Sequence, residues 1–362
     1  MAAVAPQTTQ GGGDRGPGGA HNERELTEPV PLCLPDGRLN PDAIGWSRTP
    51  LHDGRLPGWW GRRKQWDFWG VTGPGCAFNI VVADIDYLGI IDVWFHDFAR
   101  NASATKSLTL PFSWNVRLPD RVGAAPIRFA ALGLELSIVE EDVGTRLRVL
   151  FNGQAPFAAD VLVRRPPGHE SLGVVIQWGE YRYQYTNKDV ARPAEGTITW
   201  GDRCYELRAN DGQSWGCLDY GRGRWPYNIT WNWGAGAGVI QGPAGPVTVG
   251  VQLGGKWTDG TGMTENALCV NGRLTKVSED LLWTYDTTNW LAPWKVRTVR
   301  SNQVDLTFTP IYDKVSRLWL GVLNQSVDQC FGTWSGTIVP DGGEPLTVDG
   351  LFGWAEEATY RW

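Results

Sequence analysis

The chain has 362 residues, of which 42% are hydrophobic and 20% are charged, and its formal net charge is −6. This acidic balance leaves no basic footprint for nucleic acid, so we predict no nucleic-acid partner. The sequence shows no secretory signal and no apolar run long enough for a spanning helix. We therefore predict a cytoplasmic protein without integral membrane association.

Glycine, proline and tryptophan are frequent, at 46, 23 and 21 residues. The glycines and prolines imply many turns, which favours an all-β fold. The tryptophans exceed what a core needs, which indicates a large aromatic-lined interior or interface. Six scattered cysteines without a C-x-x-C pair, and only 4 histidines, predict reduced thiols and no metal site. No nucleotide or redox motif is present, so we predict no cofactor.

The first 20 residues are rich in glycine and of low complexity, which predicts a disordered tail. Order is predicted from His21. A following stretch, 46–69, mixes five tryptophans with basic residues. We interpret it as a loop entering a strand, with arginine stacked on tryptophan, in preference to a single-stranded nucleic-acid site.

Residues 80–98 alternate between apolar and polar side chains, which predicts one long strand or two strands joined at Gly89. The polar face carries three aspartates and a histidine: Asp84, Asp86, Asp92 and His96. Such a face suits a metal or acid site. The outward side of an antiparallel sheet explains it more economically, and we favour that interpretation.

Short strands separated by turns continue to the end of the chain, and no long amphipathic helix is apparent. The polar segment Thr186–Gly196 is the best candidate for a domain boundary. We therefore predict an all-β fold of two tandem antiparallel β-barrels packed side by side, over residues 21–190 and 196–362.

The stretch 202–234 carries the main chemical hypothesis. Asp219 is predicted in a turn-rich loop with Tyr220, Arg222 and Tyr227 nearby, and a strand with Trp231 and Trp233 on one face follows. A carboxylic acid in a dry aromatic pocket has a raised pKa, and aromatic faces stabilise carbocations. The alternative is a β-hairpin with a charged loop and two core tryptophans.

Other residues complete the predicted site. Asp219 is the predicted proton donor, with Tyr220, Tyr227 or Glu265 orienting it. Asp259 is more simply a turn residue. The predicted substrate-binding residues combine tryptophans with a few polar side chains: Trp225, Trp231, Trp233, Trp257, Arg222, Tyr183, Lys188 and His52.

Several long strings resemble a bacterial family defined as a domain of unknown function, DUF2804. They include LDYGRGRWPYNITWNWG, DGTGMTENALCVNG and FGWAEEATYRW, and the resemblance extends from about His21 to Trp362. This resemblance implies no activity.

A more distant resemblance connects Asp219 and the following W-x-W-G strand with the Asp-His-x-Trp-Gly loop of the carotenoid 1,2-hydratase and hydroxyneurosporene synthase group. That resemblance implies two lipocalin-like barrels with a hydrophobic pocket. It also implies that Asp219 takes the place of the loop aspartate. Tyr220 stands where the group has its histidine.

Three functions follow as hypotheses. The first is a cofactor-independent hydratase or cyclase acting on an apolar isoprenoid- or polyketide-like molecule. The second is a non-catalytic lipocalin-type carrier of a lipid or isoprenoid. The third is a glycoside hydrolase with paired carboxylates and tryptophan platforms. The sequence also allows a homodimer.

Overall fold

The computed structural model describes residues 20–58 and 60–362. The predicted tail lies outside this range, except for Ala20, which forms an isolated bridge with Glu279. The described residues form one 3-10 turn, Pro41–Ala43, and a series of strands. The strands are β1 (Val30–Pro31), β2 (Trp46–Ser47), β3 (His52–Asp53), β4 (Lys64–Gly73), β5 (Cys76–Asp84), β6 (Leu88–Asp97), β7 (Ala102–Pro111), β8 (Ile127–Ala131), β9 (Leu134–Glu141), β10 (Gly144–Asn152), β11 (Pro156–Arg164), β12 (Leu172–Gly179), β13 (Arg182–Trp200), β14 (Arg203–Leu207), β15 (Trp215–Arg224), β16 (Asn228–Gly242), β17 (Gly245–Gly255), β18 (Ala267–Val270), β19 (Arg273–Lys276), β20 (Leu281–Thr284), β21 (Trp294–Thr298), β22 (Val304–Leu320), β23 (Leu323–Ile338) and β24 (Leu346–Arg361).

Tight turns connect most neighbouring strands, as the glycine content predicts. The β8–β9 hairpin shows the rule: Leu132 and Gly133 form its two-residue loop, with φ angles of 51° and 73°. Two positive φ angles match the right-handed twist of the flanking strands. The loop closes on the pair Ala131 and Leu134, which fixes the register of the hairpin.

The first sheet contains 13 strands. Its main path runs β7-β6-β5-β4-β15-β13-β11-β10-β9-β8, and β12, β14 and β2 branch from it. The second sheet contains nine strands in the order β19-β18-β17-β16-β24-β23-β22-β21-β20. Both sheets are antiparallel and strongly curved. The prediction of an all-β fold with two tandem antiparallel barrels is confirmed.

The segment Thr186–Gly196, predicted as the domain boundary, forms the middle of the 19-residue strand β13. The first half of β13 pairs with β15 and the second half pairs with β11. A bulge between Asp189 and Arg192 bends the strand where it changes partners. The first sheet continues to Arg224, and the chain enters the second sheet at Asn228.

Residues 80–98 form the β5–β6 hairpin rather than one strand, and the turn lies at 85–87 instead of Gly89. The polar side chains of this region bind protein groups. Asp86 accepts hydrogen bonds from the backbone N–H groups of Gly61, Arg62 and Arg63. His96 contacts the hydroxyl of Ser103 at 2.8 Å. These partners favour the structural interpretation of the face.

Each barrel has its own apolar core, and a further core lies between the two sheets. In this inter-sheet core, Phe68 and Trp215 of the first sheet meet Trp233, Phe331 and Trp354 of the second. Burial of each large aromatic side chain contributes roughly 2 to 3 kcal/mol. The two sheets are therefore held together by a hydrophobic contact, and the candidate site lies beside it. No helix in the described ranges is long and apolar enough to cross a membrane.

Candidate active site

A cluster of buried charged side chains lies where the two sheets face each other. Lys188 comes from β13 and Asp219 from β15, Glu265 comes from the segment before β18, and Glu356 comes from β24. All four residues are buried. Burial of a charge is costly unless the charge is paired or neutralised, so the partners of these groups determine their state.

Lys188 is the cation at the centre of the cluster. Its Nζ lies 2.9 Å from Oδ2 of Asp219 and 3.4 Å from Oε2 of Glu265. Lys188 and Asp219 are directly opposed in the β13–β15 ladder, which brings their side chains together on one face. Burial opposes the charged form, but the two carboxylates outweigh it and raise the pKa of Lys188. The ammonium also lies 4.2 Å from the centre of the Trp233 ring.

Glu265 is the first of two buried acids with a raised pKa. Burial raises the pKa of its carboxyl to about 7, although the Lys188 ammonium opposes this shift. Trp257 donates its indole N–H to Oε1 of Glu265. The carboxyl packs against Gly254 of β17, where a Cβ atom would overlap it. This glycine therefore makes room for the acid.

Glu356 is the second acid. Burial raises the pKa of its carboxyl to about 7, and hydrogen bonding from Trp231 opposes the shift. Trp231 Nε1 donates to Oε1 of Glu356 at 2.9 Å, and Gln329 Nε2 donates to Oε2 at 3.0 Å. Gln329 Oε1 in turn accepts from Nδ2 of Asn79 in the first sheet at 3.1 Å. Both carboxyl oxygens of Glu356 are thus held in place.

Tryptophan rings form a wall on one side of the acids. Trp225 stacks on Trp257 with ring centroids 5.2 Å apart and an interplanar angle of 11°. Trp231 stacks on Tyr360 at 4.8 Å. The tryptophans of this wall are Trp66, Trp178, Trp225, Trp231, Trp257 and Trp362. Because Trp257 and Trp231 also hold Glu265 and Glu356, the wall and the acids form one unit.

This arrangement can deliver a proton to an apolar molecule. A carboxylic acid with a pKa near the working pH is well matched to general acid catalysis. Aromatic faces stabilise a developing cation. The Lys188–Asp219 ion pair adds two fixed charges at a buried position, where water does not screen them.

The profile of the family described as domain of unknown function (DUF2804) matches residues 23–362. The chain belongs to the DUF2804 family. The resemblance found in the sequence is confirmed by this match.

Among solved structures, this DUF2804 protein is similar to a candidate AttH protein from Nitrosomonas europaea and to kievitone hydratase from Nectria haematococca. The first is 13% identical, with a TM-score of 0.46, covering 82% of this chain and 92% of the other. The second is 10% identical, with a TM-score of 0.47, covering 82% and 88%. Neither likeness transfers an activity or a residue role. Comparison with curated proteins finds no match.

Seven predicted site residues come together in this DUF2804 protein. Asp219 lies in strand β15 and not in a loop. From this strand it contacts Lys188. The residues brought together are Lys188, Asp219, Glu265, Trp225, Trp231, Trp233 and Trp257. Trp231 and Trp233 share the predicted face of β16 and point towards the first sheet.

Tyr220 and Arg222 lie on the other face of β15, because consecutive residues of a strand point in opposite directions. Tyr220 donates its hydroxyl to the carbonyl of Asp120 at 2.7 Å. Arg222 pairs with Asp67 at 2.9 Å inside the first barrel. The Tyr220 side chain therefore points away from Asp219.

Three further predicted residues lie elsewhere. Tyr227 donates its hydroxyl to the carbonyl of Val322, at the rim of the second barrel. Tyr183 donates its hydroxyl to the carbonyl of Gly37 at 2.9 Å in the core of the first barrel. His52 contacts the carbonyl of Ala43 at 2.9 Å, and burial lowers its pKa to about 4. These contacts give all three residues structural partners.

Glu356, Gln329 and Asn79 were missed by sequence reasoning. Period-two alternation in the terminal string FGWAEEATYRW places Glu356 on the same face as Trp354, which was the available signal. The pairing of β24 with β16 and β23 joins segments far apart in sequence, so the sequence could not show the partners.

Two small clefts are found in the described part of the chain. One is lined by Asp67, Trp69 and Arg165 among others, and one between the sheets is lined by Val190, Trp215 and Trp354 among others. Neither is lined by the four charged residues. Within the described ranges, no three His, Cys, Asp or Glu residues are grouped so as to hold a metal ion.

Proposed function

We propose that the protein is a cofactor-independent acid catalyst, a hydratase or a cyclase, for an apolar unsaturated molecule of isoprenoid or polyketide type. The observation that carries this proposal is the pair of buried glutamates, Glu265 and Glu356, whose carboxyls have pKa values of about 7 beside tryptophan rings. At neutral pH, each of these two carboxyls is protonated in a large fraction of the molecules. We propose the cytoplasm as its location.

Glu356 is the better proton donor of the two. Among the residues that the structure describes, no lysine or arginine nitrogen lies within 4.0 Å of its carboxyl, whereas Glu265 lies 3.4 Å from the Lys188 ammonium. It is also more accessible, with 7% of the residue exposed against 1% for Glu265. Its two hydrogen-bond donors hold the carboxyl in one orientation, as positioned acid catalysis requires.

Asp219 has a different role from the donor predicted from the sequence. Its Oδ2 lies 2.9 Å from the Lys188 ammonium, so it is the ion-pair partner of that cation. A carboxylate beside aromatic rings stabilises a carbocation that forms next to it. Lys188, Asp219 and Lys314 all lie close enough to influence the pKa of Glu356, so the ion pair and the donor act on one site.

The reaction is balanced without a co-reactant other than water. Glu356 transfers its proton to one alkene carbon, and the cation forms on the neighbouring carbon. In hydration, water adds to the cation and its extra proton returns to the Glu356 carboxylate. In cyclisation, a second alkene attacks the cation, and a proton lost from the product restores the acid.

A carrier function is the second candidate. The tryptophan wall that would stabilise a cation would also bind an apolar ligand without reaction. The glycoside hydrolase hypothesis is less suited to the structure. That chemistry needs an open, wet cleft between two carboxylates, and here the carboxylates are buried among tryptophans.

Incubation of the protein with farnesol, geranylgeraniol and lycopene in heavy-oxygen water tests the proposal. We expect a hydrated product that contains the label, or a cyclised isomer of unchanged mass. Glu356→Gln should lose at least about 100-fold in rate, since general acid catalysis contributes that much. Arg203→Gln, on the distant strand β14, is the control.

Glu356→Gln that folds normally and keeps full turnover would remove Glu356 from the mechanism. Saturable quenching of tryptophan fluorescence by one of these lipids without product, over prolonged incubation, would support the carrier function instead.

A further inference from the structure

Exposed apolar side chains gather at one edge of the molecule. Trp319 and Val322 form the tip of the β22–β23 hairpin, and 76% of Trp319 is exposed. Trp60 and Phe112 lie on two loops of the first barrel, where Phe112 is 75% exposed and its ring stacks on Trp60 at 6.3 Å. We call these four residues the docking face. Exposed aromatic groups of this size are costly in water and mark a contact surface.

A chain of contacts connects the two parts of the docking face. The backbone N–H of Phe112 donates to the carbonyl of Tyr87 at 2.9 Å, and Lys64 Nζ donates to the Tyr87 hydroxyl at 3.0 Å. Lys64 also lies 5.2 Å from the centre of the Trp362 ring. The N–H of Trp362 donates to the carbonyl of Tyr227, whose hydroxyl donates to Val322. Both barrels therefore contribute to one continuous surface.

Unpaired cations surround this surface. Arg62 lies two residues after Trp60. Burial lowers the pKa of the Arg182 guanidinium, and the nearby charge of Arg62 lowers it further. Arg361 is exposed and lies over the Tyr227 ring at 5.4 Å. In the described part of the chain, none of these three arginines has a carboxylate within 4.0 Å. Arg63, in contrast, is paired with Asp86.

We propose that the docking face binds the surface of an anionic lipid bilayer. Trp60, Phe112, Trp319 and Val322 enter the interface, and Arg62, Arg182 and Arg361 meet the anionic headgroups. Apolar insertion and cation attraction are the two contributions that together hold a peripheral protein on a membrane. The positive charge that attracts anionic headgroups is confined to this face, since the formal net charge of the whole chain is −6.

The position of the docking face suits this role. Trp362 lies between the face and the buried acids, since its ring contacts Trp225 at 5.8 Å and Trp225 stacks on Trp257. An apolar molecule leaving the bilayer would meet these rings before it reached Glu265. The binding itself does not depend on the proposed function, so it can be tested separately.

Sedimentation with phosphatidylcholine vesicles, with and without phosphatidylserine, tests the proposal. We expect the full-length protein to bind the vesicles that contain phosphatidylserine. Trp319→Ser with Val322→Ser should weaken binding by about tenfold or more, because two inserted side chains are lost. Arg62→Gln with Arg361→Gln should weaken binding to the anionic vesicles by about fivefold per arginine.

Two variants away from the face are matched controls. Val239→Ser changes an exposed apolar residue of β16, which lies roughly 35 Å along the strand from Asn228, the partner of Arg361. Arg203→Gln removes an exposed cation that pairs with Trp200, at the opposite end of β13 from Arg182. Both controls should bind like the unaltered protein.

Failure of the unaltered protein to bind the anionic vesicles would overturn the proposal, and so would equal weakening by the controls. Lipid-independent self-association that Trp319→Ser abolishes, without vesicle binding, would show that a second copy of the chain covers the face.

Discussion

Lys188 is the residue on which the state of the site depends most. Its ammonium is shared by Asp219 and Glu265, one from each side of the boundary between the sheets. In a buried position, this cation compensates a carboxylate that water cannot reach. A buried pair need not stabilise the fold by itself, but removal of one partner leaves the other uncompensated.

Replacement of Lys188 by methionine should therefore destabilise the protein by about 3 to 5 kcal/mol, because the Asp219 carboxylate loses its partner. Urea denaturation monitored by circular dichroism measures this change. The double variant Lys188→Met with Asp219→Asn should recover most of the loss, since it buries no unpaired charge. Equal stability of Lys188→Met and the unaltered protein would show that the pair contributes nothing.

Glu356 should make stability depend on pH. Its pKa is raised from 4.5 to about 7, so the folded state holds the proton where the unfolded state has lost it. The stabilisation by this proton is complete below pH 4.5 and is lost as pH rises through 7. Glu356→Gln lacks this titration. The stability difference between the unaltered protein and Glu356→Gln should fall by up to about 3 kcal/mol across this window.

Urea denaturation of both proteins at a series of pH values measures this difference. A difference that stays constant with pH would mean that the carboxyl has the same pKa folded and unfolded. His52, whose pKa is lowered to about 4, gives a slope of opposite sign in both proteins and so cancels in the comparison.

At the residue scale, the sequence predicts which residues belong to the site better than it predicts which of them are in contact. Asp219, Lys188 and Glu265 were predicted separately, and the strand register joins them. Tyr220 was assigned to Asp219 because a loop was expected there, and in a strand the two side chains diverge. Only the β24 pairing reveals the role of Glu356, and that pairing is not local in sequence.

β13 is the element that organises the first barrel and half of the site. The polar composition of its middle predicts a domain boundary, since polar residues with proline and glycine usually mark loops. The strand is polar because both of its faces meet polar partners: Thr186 and Lys188 contact Asp219, and Arg192 binds the carbonyl of Val163. Composition alone cannot distinguish such a strand from a loop.

Substitution of Gly254 tests how closely strand β17 packs against the Glu265 side chain. Its backbone is not in the left-handed region, so alanine is allowed by conformation, but the new Cβ would overlap the Glu265 side chain. Gly254→Ala should displace Glu265 from Trp257 and cost about 1 to 3 kcal/mol, as overpacking usually does. Thermal unfolding and near-ultraviolet circular dichroism measure the loss and the change around Trp257.

Gly179→Ala is the matched control, because Gly179 ends β12 with open space where a Cβ would lie. Equal melting temperatures for the two variants would show that the site tolerates movement of Glu265.

At the scale of the whole molecule, the two barrels share an interface and not only a connecting chain. Trp354 of the second sheet contacts Phe68 of the first at 6.0 Å. Asn79 and Gln329 form a buried hydrogen bond across the same boundary. The series of short strands predicts two barrels, and the tryptophan content predicts an aromatic-lined interior or interface. The sequence does not predict where the chain passes from the first sheet to the second, because that segment carries no stronger turn signal than its surroundings.

This interface should make the protein unfold in one transition. Calorimetric and van't Hoff enthalpies should agree, as for a single cooperative unit. Trp354→Ala should lower the free energy of unfolding by about 3 to 5 kcal/mol, because it opens a cavity between the sheets. Trp114→Ala, at an exposed position, should change it little. Two separate transitions in the unaltered protein would show that the barrels are independent.

The order in which the polypeptide is synthesised determines the order in which the members of the charge cluster meet. β13 and β15 leave the ribosome before the segments that carry Glu265 and Glu356, so Lys188 meets Asp219 within the first sheet. That early pair is neutral by itself. The two glutamates arrive later, and because burial raises the pKa of each to about 7, they take up protons as the interface closes over them. The second half thus closes over the first with less buried negative charge than two ionised carboxylates would bring.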